Sequence, residues 1–181
     1  MSYETIQVRT LTPTIGAEIS GVDLAGPIGN RQYEEIHQAL LAHQVIFFRD
    51  QRMTVDQHKA FGSHFGKLHV HPNAPKKLPE HPEILTIQAG PDSKRVAGEV
   101  WHSDVSCDEE PPMGSILHIH EVPENGGGDT MFANMYAAYE ALSPTMQGFL
   151  RTLTAMHESR KSQNHQYRDP APDQKFPEAE H

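Results

Sequence analysis

A short stretch of the sequence, Trp101-His102-Ser103-Asp104, carries a histidine and a carboxylate two residues apart. On one extended strand, residues i and i+2 point to the same side, so both side chains can reach one cation. A neutral imidazole together with a carboxylate suits ferrous iron, and a second histidine from elsewhere would complete the three-residue iron site of non-haem oxygenases. His102 and Asp104 are therefore the first candidate metal ligands.

The spacing of this pair is weak support by itself. The chain contains 13 histidines, so a chance His-x-Asp pair is unremarkable. Residues 81–83, His-Pro-Glu, have the same spacing, but the proline and an expected loop make them a poor ligand pair. The His-x-His segments at 69–71 and 118–120 also place two imidazoles on one side of an extended chain. For both segments a solvated or hydrogen-bonded histidine is the preferred interpretation, and one histidine lining a pocket is the alternative.

Composition and charge exclude several classes of protein. The formal net charge is −9 and Lys and Arg are not clustered, which argues against a nucleic-acid-binding or membrane-binding surface. The single cysteine, Cys107, cannot form an internal disulfide, and a reducing, cytoplasmic location is expected. No stretch has the pattern of a signal peptide or the length and apolarity of a transmembrane helix. One domain over residues 1–181 is expected, ending in a polar tail at 159–181.

Apolar periodicity predicts the elements that must position the candidate ligands. Strands are expected at 7–11, 16–19, 44–49, 84–88, 115–122, 130–133 and 154–157. Helices are expected at 30–43, after Thr54 with Gln57 in capping-box position, at 135–142, and after Ser143 with Pro144 at the first helical position. The expected fold is mainly β with flanking helices (α+β), a double-stranded β-helix or jelly roll. A jelly roll needs about eight strands, so the sheet is expected to be incomplete.

The candidate pair lies within an ordered series of short motifs. The series comprises GAEISGVDL at 16–24, HQVIFFRDQ at 43–51, FGKLHVHP at 65–72, EVWHSDVSCDEEPP at 99–112, GSILHIHEVP at 114–123, GGGDT at 126–130 and AAYEALS at 137–143. In this order the motifs resemble the taurine dioxygenase family, the TauD/TfdA-like Fe(II)/2-oxoglutarate-dependent dioxygenases. The resemblance extends over about residues 8–168 and is far more specific than any single motif.

This resemblance implies roles for individual residues. His102 and Asp104 would be two of three iron ligands, Thr130 would donate its hydroxyl to a 2-oxoglutarate carboxylate, and His71 would face the primary substrate. Fe(II) is the implied cofactor and 2-oxoglutarate the co-substrate, with O2 and a small organic molecule as the other partners. A homo-oligomer is left open. As alternatives, Thr130 starts a strand after a glycine turn and His71 is a surface residue.

The implied reaction is hydroxylation of a small organic substrate, a sulfonate, sulfate ester or related acid, with release of succinate and CO2. The family's third ligand, a late histidine, and the arginine that pairs with 2-oxoglutarate are expected beyond His181. The chain is thus expected to be the N-terminal part of such an enzyme. The alternatives are a catalytically inactive metal-binding jelly-roll fragment and a structural β-domain with surface histidines.

Three positions depart from the pattern of taurine-using members of the family. Ala74 stands where an aromatic residue is usual, Gly98 where a polar amide is usual, and Ser159 where a second aromatic residue is usual. All three replacements are smaller or less polar. The resemblance therefore implies a bulkier or differently shaped substrate than taurine.

Overall fold

The computed structural model describes residues 2–71, 77–90, 93, 98, 100–158 and 178–180. The chain divides into two compact units, which are described separately. Unit 1 comprises Met1–Gly66 and Leu117–Thr152, and unit 2 comprises Lys67–Ile116 and Leu153–His181. The single domain stays a prediction, and residues 159–177 and 181 of the expected tail lie outside the described residues. Of the helices in the described part, none is long and apolar enough to cross a membrane.

Unit 1 is built on a three-stranded sheet. Strand β1 (Gln7–Thr10) pairs antiparallel with β2 (Ala17–Ser20), and β2 pairs parallel with β3 (Ile46–Phe48). A parallel pair requires a crossover connection, and helix α1 (Asn30–His43) lies in that connection. Gln44 then adopts a left-handed conformation with φ of 66°, which ends the helix before β3. The predicted helix and the three predicted strands around it are confirmed, with small shifts at the strand ends.

Helix α2 (Val55–Ser63) begins at a capping box. The Thr54 hydroxyl accepts a hydrogen bond from the Gln57 N–H at 3.2 Å, and the Gln57 side-chain oxygen accepts one from the Thr54 N–H at 2.8 Å. The Gln57 side-chain amide also donates to the Ala25 carbonyl at 3.0 Å. The predicted capping box is confirmed, and it also ties the start of α2 to the loop before α1.

The core of unit 1 lies between this sheet and the two helices. Ala17 and Ile19 alternate with outward-facing residues along β2, as expected for a strand with one face on a core. The buried apolar cluster consists of Ile6, Ile19, Leu24, Ile36, Ala39 and Phe61. Burial of a large aliphatic or aromatic side chain contributes about 1.5–3 kcal/mol, so this cluster holds α1 and α2 on the sheet.

Two shorter helices complete unit 1, α3 (Met135–Glu140) and α4 (Pro144–Leu150). The Asn134 side chain caps α3 by accepting from the Ala137 N–H, and the Ser143 hydroxyl caps α4 in the same way. Both predicted helices are confirmed, although α3 ends two residues earlier than expected. Neither helix has a buried residue.

Unit 2 contains two small antiparallel sheets. Strand β4 (Lys77–Leu78) pairs with β5 (His81–Leu85), and β6 (Met156–Glu158) pairs with β7 (Glu178–Glu180). The prediction of a loop that extends to Pro82 is wrong, because β5 already begins at His81. A proline is tolerated in a two-stranded hairpin, since its nitrogen can face away from the partner strand.

The strands predicted at 115–122 and 130–133 are wrong, because both segments are irregular. A strand needs a neighbour for its backbone N–H and C=O groups, and neither segment pairs with a strand among the described residues. Their apolar side chains remain exposed, among them Leu117, Ile119, Val122, Met131 and Phe132. The described part combines strands with helices as predicted, whereas the jelly roll stays a prediction.

Glu35 of α1 is buried in unit 1, with 1% of its surface exposed. Its carboxylate accepts hydrogen bonds at 2.9 Å from the backbone N–H groups of Glu4 and Thr5 and from the Thr5 hydroxyl. Arg31 lies 3.0 Å away on the same helix. Burial by itself raises the pKa of Glu35, but these hydrogen bonds and Arg31 outweigh it and lower the pKa from 4.5 to about 2. The carboxylate thus anchors the start of the chain to α1.

We expect Glu35→Gln to lower the midpoint of urea unfolding at pH 7. The amide has only one oxygen to accept these hydrogen bonds, and it carries no negative charge. Since the pKa is depressed in the folded state, this stabilisation is complete above the ordinary value of 4.5 and is lost as the pH falls towards about 2. The difference in urea midpoint between wild type and Glu35→Gln should therefore become smaller as the pH falls. Glu34→Gln, on the exposed face of the same helix, is the control. An equal effect of both variants would contradict the anchoring role.

Candidate metal centre

His102 and Asp104 lie together in unit 2. The His102 Nε2 atom is 3.3 Å from Asp104 Oδ1, and both side chains are about half exposed, at 48% and 56%. The prediction that this pair lies on an extended strand is wrong, because residues 101–103 are irregular and a turn begins at Asp104. Val105 has a left-handed φ of 50°, and the Asp108 N–H donates back to its carbonyl. The two side chains converge as predicted, but through a turn rather than through the pleat of a strand.

The backbone fixes which nitrogen of His102 is available to a metal. The Nδ1 atom lies 2.7 Å from the Val100 carbonyl oxygen. A carbonyl only accepts hydrogen bonds, so Nδ1 carries the proton and donates it. Nε2 is therefore the ring nitrogen turned towards Asp104, and in a neutral ring its lone pair can bind a cation there.

This arrangement fits a metal ion. Two ligand atoms bound at right angles, each about 2.1 Å from a metal, are about 3.0 Å apart. The observed 3.3 Å between Nε2 and Oδ1 is close to that separation. A donated Nδ1–H bond is also the usual way in which proteins orient a ligating histidine. The imidazole and carboxylate can thus hold a borderline divalent cation such as Fe(II).

Ser115 orients the second candidate ligand. Its hydroxyl donates to Asp104 Oδ2 at 2.7 Å, which leaves Oδ1, the oxygen beside His102, to bind a cation. Hydrogen bonds of this kind set the rotation and basicity of ligating carboxylates. Sequence reasoning missed Ser115, because nothing in the spacing of 11 residues between the two side chains signals their contact.

Two histidines hold the turn that follows Asp104. His69 Nε2 lies 2.7 Å from Asp108 Oδ2, and His157 Nδ1 lies 2.9 Å from the Ser106 hydroxyl. Both histidines come from segments far away in the sequence. His69 is therefore a hydrogen-bonded histidine, as preferred for its His-x-His segment. The ligand-bearing turn is held by side chains instead of by a sheet.

The other predicted site residues lie as follows. His71 is half-buried in unit 2, and Thr130 is exposed in unit 1 after a glycine turn in which Gly126 and Gly128 have positive φ. In the described part of the chain, no three His, Cys, Asp or Glu side chains lie together as a metal-binding group. The third ligand and the arginine expected beyond His181 stay predictions.

Of the three departures from the taurine-using pattern, Ala74 and Ser159 lie outside the described residues. Gly98 has φ of 85°, and a side chain placed on it would begin 3.5 Å from Cε1 of His102. Position 98 therefore lies directly against the ring of a candidate ligand. A polar amide there would contact that ring, whereas glycine places no side chain beside it.

Comparison with known proteins adds independent findings. The family described as "Taurine catabolism dioxygenase TauD, TfdA family" matches residues 7–181. An "Alpha-ketoglutarate-dependent sulfonate dioxygenase" of Saccharomyces cerevisiae is 32% identical over 167 residues, covering 86% of this chain and 40% of the relative. An "Alkylsulfatase" of Acinetobacter baylyi is 37% identical over 153 residues, covering 84% and 47%.

The fold has a counterpart among solved structures. The crystal structure of a taurine dioxygenase from Burkholderia xenovorans matches with a TM-score of 0.71 and 32% identity, covering 85% of this chain and 54% of that protein. The chain thus spans about half the length of the relatives that it matches.

Ser115→Ala should weaken binding of Mn²⁺ to this pair about 10- to 100-fold, the usual cost of losing a hydrogen-bond partner of a metal ligand. Ser115→Thr keeps the hydroxyl and should retain most of the affinity. Electron paramagnetic resonance of free Mn²⁺ measures the change. Ser103→Ala, which removes an exposed hydroxyl between the two ligands, is the matched control. Equal affinity in all variants would show that Ser115 does not orient Asp104.

Proposed function

The chain belongs to the TauD, TfdA dioxygenase family, and on this premise we propose that it carries the first part of a 2-oxoglutarate-dependent Fe(II) dioxygenase site. The observation that supports the proposal most strongly is the 3.3 Å approach of His102 Nε2 to Asp104 Oδ1. The relatives' names, which include dependence on alpha-ketoglutarate, another name for 2-oxoglutarate, support the co-substrate. A cytoplasmic location is part of the proposal and rests on the single cysteine.

Each residue near the pair has a defined task in this proposal. His102 binds through Nε2, since its Nδ1–H is engaged by the Val100 carbonyl. Asp104 binds through Oδ1, since Oδ2 accepts from Ser115. One neutral and one anionic ligand leave a divalent cation with a net positive charge, which favours an anionic co-substrate. When bound, Fe(II) and 2-oxoglutarate activate O2 and hydroxylate a C–H bond, with release of succinate and CO2.

Thr130 and His71 serve the two substrates. The Thr130 hydroxyl donates to a carboxylate of 2-oxoglutarate, a role that rests on its Gly-Gly-Asp-Thr motif. His71 contacts the primary substrate, a role that rests on its His-Pro motif. Neither role depends on a distance in the structure, and both are open to substitution experiments.

We infer that the primary substrate is an alkyl sulfonate, sulfate ester or related acid rather than taurine. Two relatives are named as a sulfonate dioxygenase and an alkylsulfatase. Gly98 places no side chain beside the His102 ring, so no amide is available there to hydrogen-bond a substrate, which supports a substrate other than taurine. Hydroxylation at the carbon that bears the sulfonate or sulfate oxygen gives an unstable product, which collapses and releases that group.

The jelly roll belongs to the same proposal. Apolar side chains of unit 1 are exposed along residues 117–150, including Leu117 at 64%, Val122 at 68% and Met131 at 73%. An exposed apolar surface of this extent normally lies against another part of a protein. We propose that strands equivalent to the remaining half of the relatives cover it and complete the sheet. The third iron ligand and the arginine for 2-oxoglutarate belong to those strands.

A metal-binding fragment without turnover is the second candidate function for the chain by itself. This second function is favoured because only two metal-binding side chains lie together at the site among the described residues. Two ligands hold iron less tightly than three and fix its geometry less well. The two functions differ in whether 2-oxoglutarate binds to the metal.

We expect anaerobic addition of Fe(II) and 2-oxoglutarate to produce a weak visible charge-transfer band that saturates with 2-oxoglutarate. His102→Ala should abolish the band, because the ring supplies a metal-binding nitrogen. The exposed His64→Ala is the matched control and should leave the band unchanged. Saturable Fe(II) binding that depends on His102 but gives no band with 2-oxoglutarate would favour the metal-binding fragment. Binding that is identical in wild type and His102→Ala would contradict both functions.

A further inference from the structure

Two histidine rings that have no role in the proposed function lie side by side in unit 1. The ring centres of His118 and His120 are 4.2 Å apart, and their planes are inclined by 48°. Residues i and i+2 of an extended chain share one side, which explains how the His-Ile-His segment brings the rings together. An angle of 48° is neither the offset-stacked nor the edge-to-face arrangement that aromatic rings prefer. Ring stacking alone therefore does not account for the pair.

The orientation of His118 is set by residues at the start of α2. Its Nε2 atom lies 3.3 Å from the main-chain oxygen of Gln51, so Nε2 donates a proton there and Nδ1 is the nitrogen that a neutral ring can offer to a cation. His58 of α2 packs edge-on against the same ring, with centres 5.8 Å apart and planes at 81°. The ring is thus contacted by two residues of unit 1 and has one nitrogen suited to bind a cation.

The separation of the two rings matches that of two imidazoles on one metal ion. A ring whose nitrogen is about 2.1 Å from a metal has its centre about 3.2 Å away, so two such rings at right angles have centres about 4.5 Å apart. The observed 4.2 Å differs from this by a few tenths of an ångström. His120 is exposed and His118 is half-buried, so a cation can reach the pair from solvent.

We propose that His118 and His120 form a two-nitrogen site for a divalent metal that binds its ligands at right angles, Ni²⁺ or Cu²⁺. Neutral imidazole suits both ions, whereas Mg²⁺ and Ca²⁺ prefer oxygen ligands. Water completes the coordination in the chain as described. Both ligands belong to unit 1, whereas His102 and Asp104 belong to unit 2. The inference is therefore independent of the proposed dioxygenase function.

A bound cation has a structural consequence for unit 1. The segment with both histidines is irregular, but His118 also contacts Gln51 and His58. A metal that fixes the two rings to each other holds this segment on α2.

The test is Ni²⁺ titration of the 181-residue chain carrying His102→Ala and Asp104→Ala, which removes the other candidate site. We expect one Ni²⁺ ion per chain by calorimetry. His118→Ala and His120→Ala, each added to this background, should weaken binding at least about tenfold, the cost of losing even a secondary partner. His64→Ala is the matched control, and circular dichroism checks that each variant folds.

A second measurement avoids substitution of the two histidines. Addition of substoichiometric Ni²⁺ to the same background should broaden the ring signals of His118 and His120 before those of the other histidines in a nuclear magnetic resonance spectrum. Unchanged Ni²⁺ affinity in both variants, or first broadening of other histidines, would overturn the proposal. Neither result would bear on the His102–Asp104 pair, which is absent from the calorimetric background and is tested with 2-oxoglutarate.

Discussion

A β-strand is stable only where its backbone N–H and C=O groups meet those of a neighbouring strand, and this requirement divides the ordered from the irregular parts of the chain. In unit 1, β2 has a partner on each side, and its buried residues pack under α1. The residues at 115–122 have the composition of a strand but no partner in the described part. Their backbone is irregular and their apolar side chains face solvent. The same requirement explains why the chain has a well-formed core in one region and exposed apolar residues in another.

The candidate metal pair lies on a turn outside the strands, so its geometry depends on individual hydrogen bonds. The Val100 carbonyl selects the tautomer of His102, and the Ser115 hydroxyl occupies one oxygen of Asp104. His69 and His157 hold the turn behind the pair. Each contact contributes about 0.5–1.5 kcal/mol to stability, which is modest. Their importance is directional, because together they turn one nitrogen and one oxygen towards the same point.

The sequence predicts local features well where local interactions decide them. The capping box at Thr54 and Gln57 depends on neighbours three residues apart, and it forms as expected. Helix α1 has the predicted ends. Its extent is decided by local features, the apolar spacing within the helix and the left-handed Gln44 directly after it. The His102–Asp104 pair was predicted from spacing and context, and the two side chains do meet. The contacts of Ser115, His69 and His157 could not be predicted, because they join residues 11 to 51 positions apart. The strand predictions at 115–122 and 130–133 failed because apolar composition does not reveal whether a partner strand is present.

His102 Nε2 and Asp104 Oδ1 are proposed to bind one divalent cation. The most direct measurement is an anomalous difference map from crystals grown anaerobically with Mn²⁺ and 2-oxoglutarate. We expect a peak about 2.1–2.3 Å from both of these atoms, with Val100 and Ser115 still bonded to His102 Nδ1 and Asp104 Oδ2. A peak bound elsewhere, or a His102 ring turned so that Nδ1 faces Asp104, would contradict this proposal.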